Sequence, residues 1–290
     1  MLEIYREAAR LIEDGRRGAL ATIISTQGST PGEETSKMLV RDDGSTLGTI
    51  GGGCSEADVW RLAMEVIATD RPVRTSFRLT AATAAETGLL CGGEFEVYIE
   101  PLGNPTVTIF GAGHIARSLT TLLGTLDYHT VVIDDRESFA SRERFPEAAE
   151  VLVRDFEHAL EGLTLGPSSI LIVVTRGHQH DETVLAQAVM SDAGYVGLIG
   201  SRGKIAAIRK NLHKRGIPIE RLERVRSPIG LEIGSRTPAE IAVSIAAELI
   251  AYRRGKLPPP QSPRDAGPAG KPRRQAPPPP EDARGAHRST

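Results

Sequence analysis

Cysteine is nearly absent from this chain, with two in 290 residues. Two thiols cannot staple a small secreted domain, and they fit a reducing, cytoplasmic setting. A Cys54–Cys91 disulfide is the lesser reading. Long apolar runs are missing too: none reaches the roughly 18 residues of a membrane span. Met1 to Arg17 is an acidic–basic amphipathic stretch rather than a signal peptide, so no membrane partner is expected. Charge of one sign is also lacking. The formal net charge is −2, which leaves no basic footprint for nucleic acid. No Walker loop, Ser/His/Asp order, paired-carboxylate motif or internal repeat stands out.

What is there suffices for about two domains with real cores, since 40% of the residues are hydrophobic and 25% charged. Leu2, Tyr5, Ala9 and Ile12 fall at helical spacing. Ala19 to Ser25 reads as a buried strand and Met38 to Val40 as a second, followed by the Asp43-Gly44 turn signal. Ser55 and Asp58 resemble a capping box opening a helix to Ala68. Arg74–Thr80 and Phe95–Ile99 alternate as strands do. The first 103 residues read as a small α+β domain, closed by a linker over Pro101–Pro105.

From 104 to 256 the pattern becomes strand–helix alternation. Strands are expected at 107–110, 130–133, 151–153, 170–174 and 195–199, with helices at 114–123, 181–190 and 203–214. That is the rhythm of an open parallel sheet, hence an α/β chain with a Rossmann-like second domain. Thr237-Pro238-Ala239-Glu240 combines an N-cap, Pro at N1 and Glu at N3, and opens a helix to about Tyr252. Residues 257–290 differ: ten of the 19 prolines lie from Pro258 onward, with almost no large apolar side chains. Such a tail cannot offset its ordering entropy and is expected to be disordered.

Both cysteines sit against glycine runs, Gly51-Gly52-Gly53-Cys54 and Cys91-Gly92-Gly93. Glycine admits close backbone approach and positive φ, so these thiols read as presented to a ligand. Gly52, Gly53 and Cys54 are expected at a helix N-terminus, where the dipole and free N–H groups favour an anion or a thiolate.

Four further stretches carry candidate chemistry. Gly111-Ala112-Gly113-His114-Ile115-Ala116 follows a strand and opens a helix, with Asp134 about 20 residues on, where an acid meets a ribose 2′-hydroxyl. Arg136 leaves room for a phosphate there, and His114 is read equally as a phosphate contact or a helix cap. In Thr175-Arg176-Gly177-His178-Gln179-His180-Asp181, the His178 and His180 rings would share one side of an extended segment. Metal binding is the lesser reading, and Asp181 as N-cap of the next helix the preferred one. Gly200-Ser201-Arg202-Gly203-Lys204 suits an anion at a helix start. Ser227 to Gly234 is apolar, glycine-rich and loop-like.

Together these residues resemble the xanthine dehydrogenase accessory protein family, the XdhC/CoxI-like proteins. The resemblance runs over residues 10–252 through Gly28-Ser29-Thr30-Pro31, Lys37-Met38, Gly51 to Glu56, Cys91-Gly92-Gly93, Glu100-Pro101, Gly111 to His114, Gly197 to Arg202 with Lys204, Pro228 to Leu231, and Ile233-Gly234. Two departures stand out. The arginine usual after Ser-Thr-Pro is replaced by Gly32 and then Glu33-Glu34, and a His-Asp-His-type run by Arg176-Gly177-His178. The resemblance implies a cytoplasmic maturation chaperone without turnover of its own. It would bind molybdenum cofactor (molybdopterin or its cytosine dinucleotide form), support its sulfuration and deliver it to an apo molybdenum hydroxylase of the xanthine dehydrogenase type. A cysteine desulfurase is the other implied partner, and a homo-oligomer is expected.

The implied cofactor-binding residues are Cys54, Cys91, Gly52, Gly53, Glu56 and Gly92 in the first domain. In the second they are Gly111, Gly113, His114, Asp134, Ser201 and Arg202. A soft thiolate suits a thiophilic metal, so Cys54 is expected at the molybdenum or its sulfur, with Cys91 assisting. The 111–116 loop is expected at the phosphate end. The competing readings are an NAD(P)-dependent oxidoreductase and a nucleotide-sensing regulatory protein.

Overall fold

The structure, a computed structural model, describes residues 1–78 and 93–258, with Cys54 described in its backbone alone. These residues belong to one compact unit holding two five-stranded sheets. Leu79, Thr80, Cys91, Gly92 and the proline-rich stretch from Pro259 onward, each of which carried an expectation above, lie outside the described residues.

The first sheet comprises β1 (Gly18–Gln27), β2 (Lys37–Arg41), β3 (Thr46–Gly48), β4 (Val73–Arg78) and β5 (Glu94–Leu102). It is antiparallel, in the order β3-β2-β1-β5-β4. Side chains alternate across a strand, so β1 sends Ala19, Ala21 and Ile23 to one face and Leu20 to the other. Helix α2 (Cys54–Thr69) covers the first face with Val59, Ala63, Val66 and Ile67, a helical i, i+4, i+7, i+8 stripe. Helix α1 (Leu2–Glu13) covers the other with Ile4 and Leu11.

Three local expectations are revised. The α1 helix forms, but Leu2, Tyr5, Ala9 and Ile12 lie exposed, and the stripe one residue over, Ile4, Ala8 and Leu11, is buried. Both stripes have helical spacing, and only the sheet beneath chooses between them. The capping box at Ser55 is absent: α2 starts two residues earlier with Gly53 as N-cap and no side-chain cap, while Asp58 faces Arg61 at 3.5 Å on the surface. The 101–105 linker is shorter than expected, because β5 continues through Pro101 and Leu102.

The second sheet comprises β6 (Thr106–Phe110), β7 (His129–Asp134), β8 (Glu150–Val153), β9 (Ile170–Val173) and β10 (Tyr195–Leu198), all parallel, in the order β10-β9-β6-β7-β8. Counted within the sheet this is 3-2-1-4-5, the doubly wound order whose direction reverses between β6 and β9. Helices α3 (His114–Thr125) and α7 (Pro238–Arg253) cover one face. Val107, Ile109, Ile170 and Ile172 meet Leu119, Leu123, Ile245 and Leu249 there. Helices α4 (His178–Met190) and α5 (Arg202–Lys214) cover the other, on Phe110, Leu171 and Val173. A short α6 (Ile219–Glu223) follows. Helix α7 has the full expected capping box: Thr237 accepts from Glu240 N–H, and the Glu240 carboxylate accepts from the Thr237 and Arg236 N–H groups. Those N–H donors hold the Glu240 carboxyl below its usual range. Among the described residues no helix is long and apolar enough to cross a membrane.

Candidate functional site

Three motifs far apart in sequence meet at one corner of the first sheet. A side chain at Gly51 (φ 120°) would lie 2.5 Å from the Pro31 carbonyl carbon, and one at Gly32 would lie 2.4 Å from the Ile50 carbonyl oxygen. One at Gly93 would lie 2.4 Å from the Ser29 carbonyl oxygen. All three are below any real Cβ contact, so backbone lies on backbone, as only glycine allows. The loop 28–32 is thus gripped between Gly51 on one side and Gly93, next after Cys91-Gly92, on the other. The departure at Gly32 has a physical reason: no side chain fits under Ile50.

At this corner Gly53 (φ 78°) caps α2 and Cys54 is its first residue. Glu56 braces the turn. Its Oε2 accepts from Gly52 N–H at 2.8 Å and from the Thr49 hydroxyl at 2.7 Å, and Thr49 Oγ1 accepts from Gly51 N–H at 3.0 Å. Gly52 (φ 79°) faces open space, with nothing within 4 Å of where a Cβ would stand.

The second locus is the crevice beyond the carboxyl ends of β6 and β9, the switch point where doubly wound sheets take their ligands. Gly111 (φ 108°) passes so close to β9 that a Cβ would lie 2.5 Å from Val174 O. Gly113 caps α3 without a side-chain cap and faces open space, and His114 is exposed at the first helical position. The α3 N-terminus is therefore uncapped by any side chain, and its N–H groups face the crevice rim.

Asp134, 1% exposed, turns inward. Its carboxylate accepts from Ala112 N–H at 2.8 Å, from Arg136 N–H at 3.1 Å, and from a bidentate Arg136 fork at 2.8 and 3.0 Å. The acid expected at a ribose thus braces the glycine loop, and Arg136 stands between it and the crevice. Next to it Asp135 takes a second fork from Arg176. That guanidinium holds the Asp135 carboxyl at about 2, and the carboxylate in turn raises Arg176 above its ordinary value. Arg144 donates to Ala112 O at 3.2 Å, and both Arg144 and Arg136 stack on the Phe139 ring. Three arginines against two aspartates leave the loop's surroundings cationic by one charge.

The histidine loop departs from expectation. Helix α4 begins at His178 with Gly177 as N-cap, so Asp181 lies inside its first turn rather than capping it. Asp181 is fully buried. It accepts from the Thr175 hydroxyl at 2.6 Å and from Thr175 N–H at 3.2 Å, and it pairs with Lys204 from the first turn of α5. His178 and His180, two apart on a helix, point to different sides, and His180 packs on Phe156. Among the described residues no group of three metal-capable side chains occurs. Ser201 caps α5 by accepting from Lys204 N–H at 3.4 Å, and Arg202 is exposed beside it. Sequence reasoning missed Thr49, Arg144 and the Asp135–Arg176 and Asp181–Lys204 ties. The only signal for Arg144 was the density of arginine after β7, at 136, 142 and 144.

A further feature lies at the other end of the cysteine-bearing helix. Helix α2 is about 24 Å long. Its far end, Ala68 to Arg71, lies with Pro105 and Ile170 at the amino ends of β6 and β9, opposite the crevice.

A family model described as the XdhC Rossmann domain matches residues 107–249, and one described as the XdhC and CoxI family matches residues 11–78. The chain is 32% identical to the uncharacterized protein YqeB of Escherichia coli K12 over 86% of its own length and 46% of the relative's. It is 30% identical to a probable xanthine dehydrogenase subunit from Bacillus subtilis 168, over 54% of its length and 44% of the relative's. It thus spans less than half of either protein. It is 22% identical to the molybdenum cofactor insertion chaperone PaoD of E. coli K12, covering 86% of this chain and 88% of that one. A crystal structure described as a xanthine dehydrogenase from Bacillus halodurans aligns with 87% of this chain and 96% of its own, with 22% identity and a TM-score of 0.48.

Proposed function

Because this chain belongs to the XdhC and CoxI family, we propose that it is an accessory protein that binds molybdenum cofactor, supports its sulfuration and delivers it to a molybdenum hydroxylase of the xanthine dehydrogenase type. The observation that carries this reading is the corner where Gly32, Gly51 and Gly93 bring three loops into backbone contact beside Cys54. A routine dehydrogenase has no use for such a corner.

Cys54, at the first turn of α2, is the thiolate for the molybdenum or its sulfur. The helix N-terminus favours the deprotonated form. Cys91 is the assisting thiol of this reading. Glu56 holds the Gly52 N–H and the Thr49 hydroxyl and so fixes the turn in which Cys54 sits. The phosphate or cytosine-dinucleotide end belongs to the Gly111–His114 loop, with Ser201 and Arg202 at the neighbouring rim. A homo-oligomer is part of this reading. A cysteine desulfurase and the apo-hydroxylase are the partners, and a cytoplasmic setting goes with them.

The inward-turned Asp134, forked by Arg136, weighs against a nicotinamide dinucleotide, whose ribose would have to displace that arginine. The test is the molybdenum and pterin content of protein purified anaerobically, wild type beside Cys54→Ala. Near-stoichiometric molybdenum and pterin in the wild type, lost in the variant, is the expected result. Protein empty of both, unable to take up supplied cofactor but binding NAD(P)H, would replace the carrier by the oxidoreductase or the nucleotide sensor.

A further inference from the structure

Where the two sheets meet, Asp70 at the end of α2 holds two arginines from opposite sides. It accepts from Arg17, just before β1, at 2.6 Å, and from Arg253, at the end of α7. The side chain of Arg17 is 7% exposed, yet its Nε and Nη1 have no hydrogen-bond partner among the described residues. Beside it is a cavity of about 300 Å³ whose lining includes Arg17, Asp70, Arg71, Ser168, Tyr252 and Arg253. That volume is at the lower end for small-molecule sites. Three arginines and one aspartate line it.

A second cavity of about 570 Å³ shares Arg17, Ala68, Pro167 and Ser168 with the first. The other charged groups there, Arg16, Asp42 and Asp43, are joined as ion pairs with a net charge of −1, so an excess of one positive charge remains at the junction. A buried guanidinium with unmade hydrogen bonds is costly, and its fork matches the oxygens of phosphate or carboxylate.

We propose that this junction cavity binds a small oxyanion, the phosphate or carboxylate of a metabolite, held by Arg17, Arg71 and Arg253. The anion supplies the charge that Asp70 alone does not, and it ties the start of β1, the end of α2 and the end of α7 together. It lies at the amino ends of the parallel strands, away from both loci described above, and it does not depend on the carrier reading.

The experiment titrates the full chain with inorganic phosphate by calorimetry at fixed ionic strength, alongside Tm, with acetate as the carboxylate arm. Saturable phosphate binding with a raised Tm is expected, weakened about tenfold in Arg71→Gln, whose exposed side chain lies outside the Asp70 ion pairs. Saturable acetate binding in place of phosphate would support the site and assign it to carboxylates. Heats equal in wild type and Arg71→Gln, or a Tm rise matched by sodium chloride, would overturn it. Arg17→Gln should abolish binding, and if that variant fails to fold, Arg71→Gln alone decides.

Discussion

The two glycine-rich turns of this molecule open helices in the same way and are braced differently. At Gly51–Cys54 the brace is local: Glu56 reaches back from the first turn of its own helix to Gly52 N–H. At Gly111–His114 it is remote: Asp134 arrives from the next strand, buried, and takes Ala112 N–H while gripping Arg136. Both turns are pinned by backbone contact, Gly51 on Pro31–Gly32 and Gly111 on Val174–Thr175. The crevice has further ties that the corner lacks among the described residues. Asp135–Arg176 joins the loops after β7 and β9, and Asp181–Lys204 joins the first turns of α4 and α5. A corner held by short-range bonds can yield locally to a cargo, whereas the crevice moves only as a laced set of loops.

The largest effect is expected where backbone meets backbone. Gly111→Ala adds a methyl 2.5 Å from Val174 O at φ 108°, and should cost about 3 kcal/mol from overlap and strain together. Gly51→Ala should cost a similar amount in urea unfolding. A loss below about 1 kcal/mol at either would show that its crossing relaxes freely.

The braces come next. Asp134→Asn loses a charge-assisted fork in a buried site and should cost about 2 kcal/mol. Glu56→Gln retains an oxygen for both donors and should cost less than about 1 kcal/mol. Equal losses would erase the distinction between remote and local bracing.

The Asp135–Arg176 tie is expected to be weaker, because the pair is partly exposed. Its carboxyl stands at about 2 against an ordinary 3.8. The folded value is depressed, so the stabilisation is present above about pH 4 and is lost as the pH falls towards 2. Wild type should exceed Arg176→Gln by about 1 kcal/mol or less above that window, with the gap closing below it. A gap constant with pH would mean that Arg176 acts through packing alone.

The smallest effect on stability belongs to Gly113→Ala. At φ −79°, with nothing within 4 Å, it should change stability by no more than about 0.5 kcal/mol. It should nonetheless weaken phosphate-end binding at least tenfold in a cofactor-uptake assay. Unchanged uptake would remove the crevice from the cofactor site.

Strand and helix periods were legible wherever burial on both faces left continuous apolar runs, as at 107–110 and 170–174, and the α7 capping box was legible because its residues are neighbours. The α1 face was not, because Leu2/Tyr5/Ala9/Ile12 and Ile4/Ala8/Leu11 have the same period, and only contact with Leu20 and Leu39 selects the second. The start of α4 was misplaced because Asp181 has the chemistry of a cap but is satisfied from Thr175 and Lys204, six residues before and 23 after.

The amino-acid sequence by itself determined the two-part α/β organisation, the glycine turns and their helices, and the family, since each is written in local periodicity and short motifs. The tertiary structure alone decided which carboxylate braces the Gly111 turn. It turned Asp134 inward, brought Gly32, Gly51 and Gly93 onto one corner, and set Arg17 and Arg253 around Asp70. Those pairings depend on distances between segments dozens of residues apart, which sheet order and helix packing set and no local pattern encodes.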